Sequence, residues 1–292
     1  METVNQIIER IAHQFLQVDL TYGHGTDNAW DEASWLVHYA LGLNYGGPEE
    51  QYQQEVQITL VEQIESLAIA RIKTRKPMAY LTQQMWFADI EFYVDERVLV
   101  PRSPIAELIR NQFFPWLDIA DTKRVLDLCT GSGCIGMATA IHAPHLDVVC
   151  SDISDDALEV AKINLARLEL NDQVTLVQSD LFENLAQQKF DLIVSNPPYV
   201  DSEDMANLSS EFKHEPELGL ASGHDGLIHT RKILENALDY LTNDGKLIIE
   251  VGNSMQALQE TYPHVPFMWL EFENGGDGVF MLTKEQLKHY FN

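Results

Sequence analysis

Basic residues are scarce in this chain. Nineteen lysines and arginines stand against 45 aspartates and glutamates, a net charge of −26 over 292 residues. A nucleic-acid binder needs a basic patch to neutralise phosphates, so this balance argues against that class; it suits an encounter with a basic protein, although plain solubility is the commoner reason for an acidic surface. Cysteine is scarcer still. Cys129, Cys134 and Cys150 are odd in number and lack zinc-ligand spacing, which fits a reducing compartment better than a disulfide framework. No window holds the roughly 18 unbroken apolar residues of a membrane span. The first residues also lack the basic stretch of a secretory signal. Together these absences predict a cytoplasmic protein. What is present is ordinary for a soluble fold, 45% hydrophobic and 22% charged residues, with length enough for one or two domains.

Three regions follow one another along the chain. Residues 1–76 carry helical spacing: Ile7, Ile8, Ile11 and Phe15, then Trp30, Ala33, Leu36 and Val37, then Val56, Leu60, Ile64 and Leu67. Gly46-Gly47-Pro48-Glu49-Glu50 reads as a helix start. His13, His24 and His38 share no ligand-like spacing and are expected at the surface or at caps. Residues 77–104 are predicted to be a linker built on a β-hairpin, with strands at 87–94 and 98–100 joined by Asp95-Glu96-Arg97. From 105 to 292 strands and helices alternate. Strands are predicted at 124–128, 147–150, 174–177, 192–194 and 245–251, with helices at 134–141, 155–168 and 226–241. That alternation predicts an α/β fold with a mostly parallel sheet, and 267–272 with 278–282 predict a terminal antiparallel hairpin.

The chemistry gathers at the predicted strand ends. Asp127-Leu-Cys129-Thr130-Gly131-Ser132-Gly133 follows the first strand of the alternation, where open α/β sheets bind ligands. A dinucleotide fingerprint is absent, because Gly131, Gly133 and Gly136 reach its spacing only by counting into the helix. The turn has the pattern of S-adenosylmethionine enzymes, with Asp127 able to accept from a protonated amino group. Asp152, beside Ile153 at the next strand end, is placed to accept both ribose hydroxyls. A helix cap is its alternative role, for which Ser154 is the better candidate. Asp180 could accept from an adenine amino group, with Leu181 or Phe182 covering the ring.

Phe190-Asp-Leu-Ile-Val-Ser195 reads as a buried parallel strand, stopped by Asn196-Pro197-Pro198-Tyr199. The Asn196 side-chain oxygen and the Pro197 carbonyl can each accept one hydrogen of a planar –NH2 group, while Tyr199 packs against that group. A strand-ending turn with a buried tyrosine is the plainer alternative for such a tetrapeptide.

With these features in this order, the chain resembles the class I methyltransferases that act on amino nitrogens. Residues 76–283 look like the HemK, or protein-glutamine N5-methyltransferase, family. The likeness is carried by Lys76-Pro77-Met-Ala-Tyr80-Leu81, Pro101-Arg102, His214-Glu215-Pro216, Gly223-His-Asp225-Gly226-Leu227 and Ile249-Glu250-Val251-Gly252. Tyr22-Gly-His-Gly-Thr-Asp-Asn28 and Val98-Leu-Val-Pro-Arg-Ser-Pro-Ile105 are similar to the branch acting on the L-three protein of the large ribosomal subunit. The release-factor branch has Pro-Asp-Thr-Glu after Pro-Arg, where this chain has Ser-Pro-Ile-Ala. Cys129 departs from the family, standing where many members have glycine.

The resemblance implies a Rossmann-like, seven-stranded catalytic domain over 105–292 and a substrate-recognition role for the helices of 1–76. It implies S-adenosyl-L-methionine as cofactor, held by the Gly turn, Asp152, Ile153, Asp180, Leu181, Phe182, Asn196 and Arg102. The substrate amide would meet Asn196, Pro197, Pro198 and Tyr199, with no metal. Catalysis would be mainly positioning and preorganised electrostatics, since an amide nitrogen is a poor nucleophile and no general base is evident.

Three other readings share parts of this pattern. A release factor is the alternative protein substrate, because specificity lies in loops. An N6-adenine methyltransferase would suit the tetrapeptide, but not the charge or the acidic stretch Asp201, Glu203, Asp204, Glu211, Glu215 and Glu217 around Lys213. A non-catalytic ribosome-assembly factor would not need an intact cofactor turn.

Overall fold

Thr3 opens the first helix with reciprocal bonds. Its hydroxyl accepts the Gln6 N–H at 3.3 Å and its own N–H donates to the Gln6 side chain at 3.0 Å. In the computed structural model, which describes residues 1–186 and 188–291, the chain divides into two compact units. The first comprises residues 1–85 and 208–214. Its helices are α1 (Val4–Leu16), α2 (Ala29–Leu41), α3 (Ile58–Thr74) and α4 (Met78–Thr82). Ile7, Ile11, Phe15, Leu36 and Ile64 are fully buried there, as the helical spacing requires. The start signal at Pro48 produces a short 3-10 turn, Glu49–Gln53, and α3 begins later. Between them Glu55 bridges to Thr3 and Val56 donates to the Glu2 carbonyl, which holds the backbone extended.

Charge is buried in this unit. Arg71 is fully buried and donates from Nε to Glu32 at 2.6 Å, and from Nη2 to the Thr21 carbonyl at 3.0 Å. Its Nη1 lies 3.4 Å from Glu211, which also accepts the Thr21 N–H at 3.1 Å. Burial pushes the Glu32 carboxyl up. For Glu211 burial pulls the same way, but the Thr21 N–H and Arg71 outweigh it and hold the carboxyl low. Two histidines expected at the surface are inside. His38 stacks on Tyr45 at 4.6 Å and bonds to the Ser34 carbonyl, and His24 packs against Phe212.

The second unit comprises residues 86–207 and 215–292. A hairpin pairs β1 (Met85–Phe87) with β2 (Ile90–Phe92), turning at Ala88 and Asp89 with φ of 48° and 66°. The sequence placed that turn at 95–97. There Asp95 accepts from both the N–H and the side chain of Arg97, a local turn that leads into a stretch at 98–100 that joins no sheet.

The strands β3 (Arg124–Leu128), β4 (Asp147–Asp152), β5 (Val174–Gln178), β6 (Phe190–Ser195), β7 (Leu241–Glu250), β8 (Met268–Trp269) and β9 (Val279–Thr283) form one sheet, in the order β5-β4-β3-β6-β7-β9-β8. The first five are parallel, and β9 and β8 close the sheet antiparallel. The helices of this unit are α5 (Ile105–Arg110), α6 (Cys134–His142), α7 (Asp155–Arg167), α8 (Ser202–Ala206), α9 (Ile228–Asn236), α10 (Met255–Thr261) and α11 (Lys284–Tyr290). Alternate strand residues feed two cores. Val125, Val148, Leu192 and Ile248 join one, and Leu126, Val149, Ile193 and Leu247 the other. Burial on both faces explains the near-continuous apolar runs. The sequence reading missed α11, although Thr283 and Gln286 form a capping box at its start.

Candidate active site

The sheet order reverses between β3 and β6, because the chain winds from β3 outward through β4 and β5 and then returns to the other side. Such a switch point leaves a crevice beyond the strand ends. Register aligns those ends: Leu128 pairs with Ser151 and with Ser195, and Asp152 with Gln178. The Ser195 hydroxyl donates to the Leu128 carbonyl at 2.6 Å and pins β6 to β3. A cleft enclosing about 1080 Å³, open solvent included, lies there. Asn196, Asp152 and Asp180 line it together.

The first turn carries the most unusual backbone. Cys129 has φ of 62°, a left-handed conformation that glycine adopts freely and other residues adopt at a cost. Gly131 and Gly133 follow at 55° and 83°, and a side chain at Gly131 would meet open space. Below the turn Asp127 is fully buried. Its Oδ2 accepts the Thr130 hydroxyl and, at 2.8 Å, the Gly136 N–H, while Oδ1 has no hydrogen-bond partner among the described residues. Burial raises its carboxyl to about 7, against the pull of those two donors.

Asp152 is held by backbone: Oδ2 accepts the Gly131 N–H at 2.8 Å and Oδ1 the Ser154 N–H at 2.9 Å. Ser154 caps α7 through Ala157, so Asp152 is not that helix's cap. Burial again pushes the carboxyl up. Cys129, Thr130, Gly131, Ser132, Ile153 and Leu181 also line the cleft. Asp127, Gly133 and Phe182 do not. The Phe182 ring stacks on Tyr240 at 4.6 Å in the core instead.

Of the tetrapeptide, Asn196 and Pro198 line the cleft, whereas the predicted Pro197 and Tyr199 lie outside its lining. The Asn196 Oδ1 is buried and has no partner among the described residues. That is the state of an acceptor whose donor comes from outside the chain, since an unsatisfied buried polar atom is otherwise costly. Tyr199 is half-buried behind it and donates to Glu250 at 3.2 Å. Burial, with the Glu250 charge, holds the phenol well above its ordinary range.

Arg102 also faces the cleft and makes a two-pronged pair with Glu215, at 2.6 and 2.9 Å. Glu215 is buried and accepts the Val100 N–H at 2.9 Å as well. It therefore ties together two stretches that line the cleft, 97–103 and 216–219. Glu211 and Glu215 were expected in an acidic stretch facing solvent, but both are buried against arginines. Asp201, Glu203, Asp204 and Glu217 remain accessible. Sequence reasoning gave no role to Ser103, Glu250 or His229. His229 lines the cleft with its Nδ1 2.9 Å from the Ser222 hydroxyl, and burial lowers its basicity. Glu250 carried a readable signal, an acid closing the apolar run Leu247-Ile248-Ile249 as Asp152 closes its own strand.

Residues 111–225 match the family "Methyltransferase small domain". The chain is 45% identical over 291 residues to the ribosomal protein uL3 glutamine methyltransferase of Francisella tularensis, covering 99% of this chain and 93% of that one. It is 44% identical over 293 residues to the protein of the same name from Neisseria gonorrhoeae, covering 98% and 96%. Among solved structures, the hMettl16 catalytic domain in complex with MAT2A 3'UTR hairpin 1 superposes with a TM-score of 0.51 at 17% identity, over 82% of this chain and 85% of that one. That last likeness is one of fold.

Proposed function

The chain belongs to the ribosomal protein uL3 glutamine methyltransferase family, and from that kinship we propose that it moves a methyl group from S-adenosyl-L-methionine to the side-chain amide nitrogen (N5) of a glutamine in uL3, the L-three protein. The observation that carries the reading is the Asn196 Oδ1, buried without a partner at the mouth of the sheet's switch point. The names of the two relatives favour uL3 over a release factor as substrate. A net charge of −26 suits a basic ribosomal protein, and the three free cysteines suit a cytoplasmic setting.

The donor set fits the cofactor. Asp127 keeps an unpartnered Oδ1 for an ammonium group, and Gly131 leaves open space where a Cβ would stand. Asp152 has both oxygens fixed by backbone donors and keeps further lone pairs for the ribose hydroxyls. Asp180 and Leu181 would take the adenine end. The cofactor supplies an electrophilic methyl group, which the amide nitrogen takes as the sulfur–carbon bond breaks.

The chain's own work is to hold the nitrogen. Asn196 Oδ1 and the Pro197 carbonyl would each accept one amide hydrogen, which orients the lone pair and stabilises the positive charge that develops on nitrogen. The spare proton leaves to solvent after transfer, so no side chain has to serve as base. Tyr199 would pack against the amide plane. Replacing Asn196 by alanine tests the assignment: transfer should fall by about a hundredfold to a thousandfold while S-adenosylhomocysteine still binds. Normal turnover by that variant would contradict it.

A further inference from the structure

Glu250 ends β7 beside the tetrapeptide. Ser195 pairs with Ile249 across the parallel strands β6 and β7, so Asn196 and Glu250 are the next residues on neighbouring strands. Glu250 is 5% exposed, and both of its oxygens are engaged. Oε1 accepts the Tyr199 hydroxyl at 3.2 Å and Oε2 the Ser103 hydroxyl at 2.5 Å. Ser103 in turn accepts the Ile105 N–H at 3.1 Å. Burial pushes the Glu250 carboxyl up, and the two hydroxyls and Arg102 pull it back down.

Tyr199 is held at two further points. Its carbonyl accepts the Ser254 hydroxyl at 2.7 Å. Its ring lies against Gly252, where a Cβ would come within 2.6 Å of it. Gly252 also has φ of 45°, so neither the space nor the backbone suits another residue. The stretch Glu250-Val-Gly-Asn-Ser254 thus grips the phenol, the ring and the carbonyl of one residue.

We propose that Glu250, with Gly252 and Ser254, is a positioning group for Tyr199, fixing the ring at the angle from which it packs against the substrate amide. This rests on the reading of the cleft as a glutamine methyltransferase site. Glu250 touches no reacting atom and acts through the Tyr199 hydroxyl. Its carboxylate can accept from both hydroxyls at once. A glutamine there keeps one acceptor oxygen and turns an –NH2 toward the other hydroxyl, so the two-sided hold is lost.

The test is a double-mutant cycle with Glu250→Gln and Tyr199→Phe. Each single variant should lower kcat by about tenfold to a hundredfold with KM for uL3 little changed, the size of a lost hydrogen bond to a charged group. The double variant should fall no further than the worse single. An unchanged kcat in Glu250→Gln, or losses that multiply in the double variant, would overturn the proposal.

A second readout does not depend on activity. In protein carrying ring-13C tyrosine, the NMR signal that Tyr199→Phe removes should shift in Glu250→Gln, and an unmoved signal would overturn the proposal. If the wild type methylates no glutamine, the functional reading fails while this spectrum still decides the positioning. Should Glu250→Gln fail to fold, Ser254→Ala drops only the bond to the Tyr199 carbonyl and carries the same two readouts.

Discussion

The amide of Gly131 donates to Oδ2 of Asp152 at 2.8 Å, tying the turn after the first parallel strand to the end of the second. One carboxylate thereby shapes the turn and, on the proposed reading, would offer lone pairs to a ribose. Asp152→Ala should weaken S-adenosylhomocysteine binding by about a hundredfold, as two hydrogen bonds to a charged acceptor are lost. Isothermal calorimetry measures it, and affinity within a factor of two of wild type would place the ribose elsewhere.

Asp127 predicts a pH dependence. Its carboxyl is raised by burial from 3.8 to about 7 in the folded chain. A raised acid contributes stability that is fully present below its unfolded pKa and lost as pH rises toward the folded one. The stability advantage of wild type over Asp127→Asn should therefore shrink between about pH 4 and about pH 7 and then level off. Binding runs the other way. A ligand ammonium prefers the ionised carboxylate, so affinity should fall by up to about tenfold per pH unit below about 7, a slope that Asp127→Asn removes. Urea unfolding and calorimetry across that range check both signs.

The left-handed backbone at Cys129 is a local strain. Its φ of 62° costs a non-glycine residue about 1–2 kcal/mol. Glycine would relieve that but loses about 0.5–1 kcal/mol to unfolded-state freedom. Cys129→Gly should therefore leave stability unchanged or raise it by up to about 1.5 kcal/mol, and Cys129→Val should lower it. Urea midpoints measure the pair, and equal losses from both would contradict the strain.

Glu215 accepts from two donors, the Arg102 guanidinium and the Val100 N–H. Arg102 is about a quarter exposed, which softens the loss. Glu215→Ala should destabilise the fold by about 2–4 kcal/mol, somewhat below the cost of breaking a fully buried pair. It should also loosen the cleft wall, read as weaker cofactor binding in calorimetry.

Much of this site could be read before the fold was known, because its marks are local. Asp152 and Asn196 each close an apolar β-run, and Gly131 and Gly133 sit in a single short turn. What was hidden depends on partners distant in sequence. Glu211 and Glu215 look like surface charge until Arg71 and Arg102, more than 100 residues earlier, are found against them. The hairpin turn at Ala88-Asp89 carries no glycine or asparagine to announce it, whereas the polar run 95–97 imitates one. Phe182 follows Asp180 closely in sequence, yet Tyr240 decides where its ring goes.

The most direct test of the account is mass spectrometry of uL3 after incubation with the protein and S-adenosyl-L-methionine, beside a release factor and duplex DNA in separate reactions. The account predicts one added methyl on a glutamine side chain of uL3, formed about a hundredfold to a thousandfold more slowly with Asn196→Ala and absent from the other two substrates. Methylated release factor with untouched uL3 would contradict the substrate, and methylated DNA or no transfer at all would contradict the chemistry.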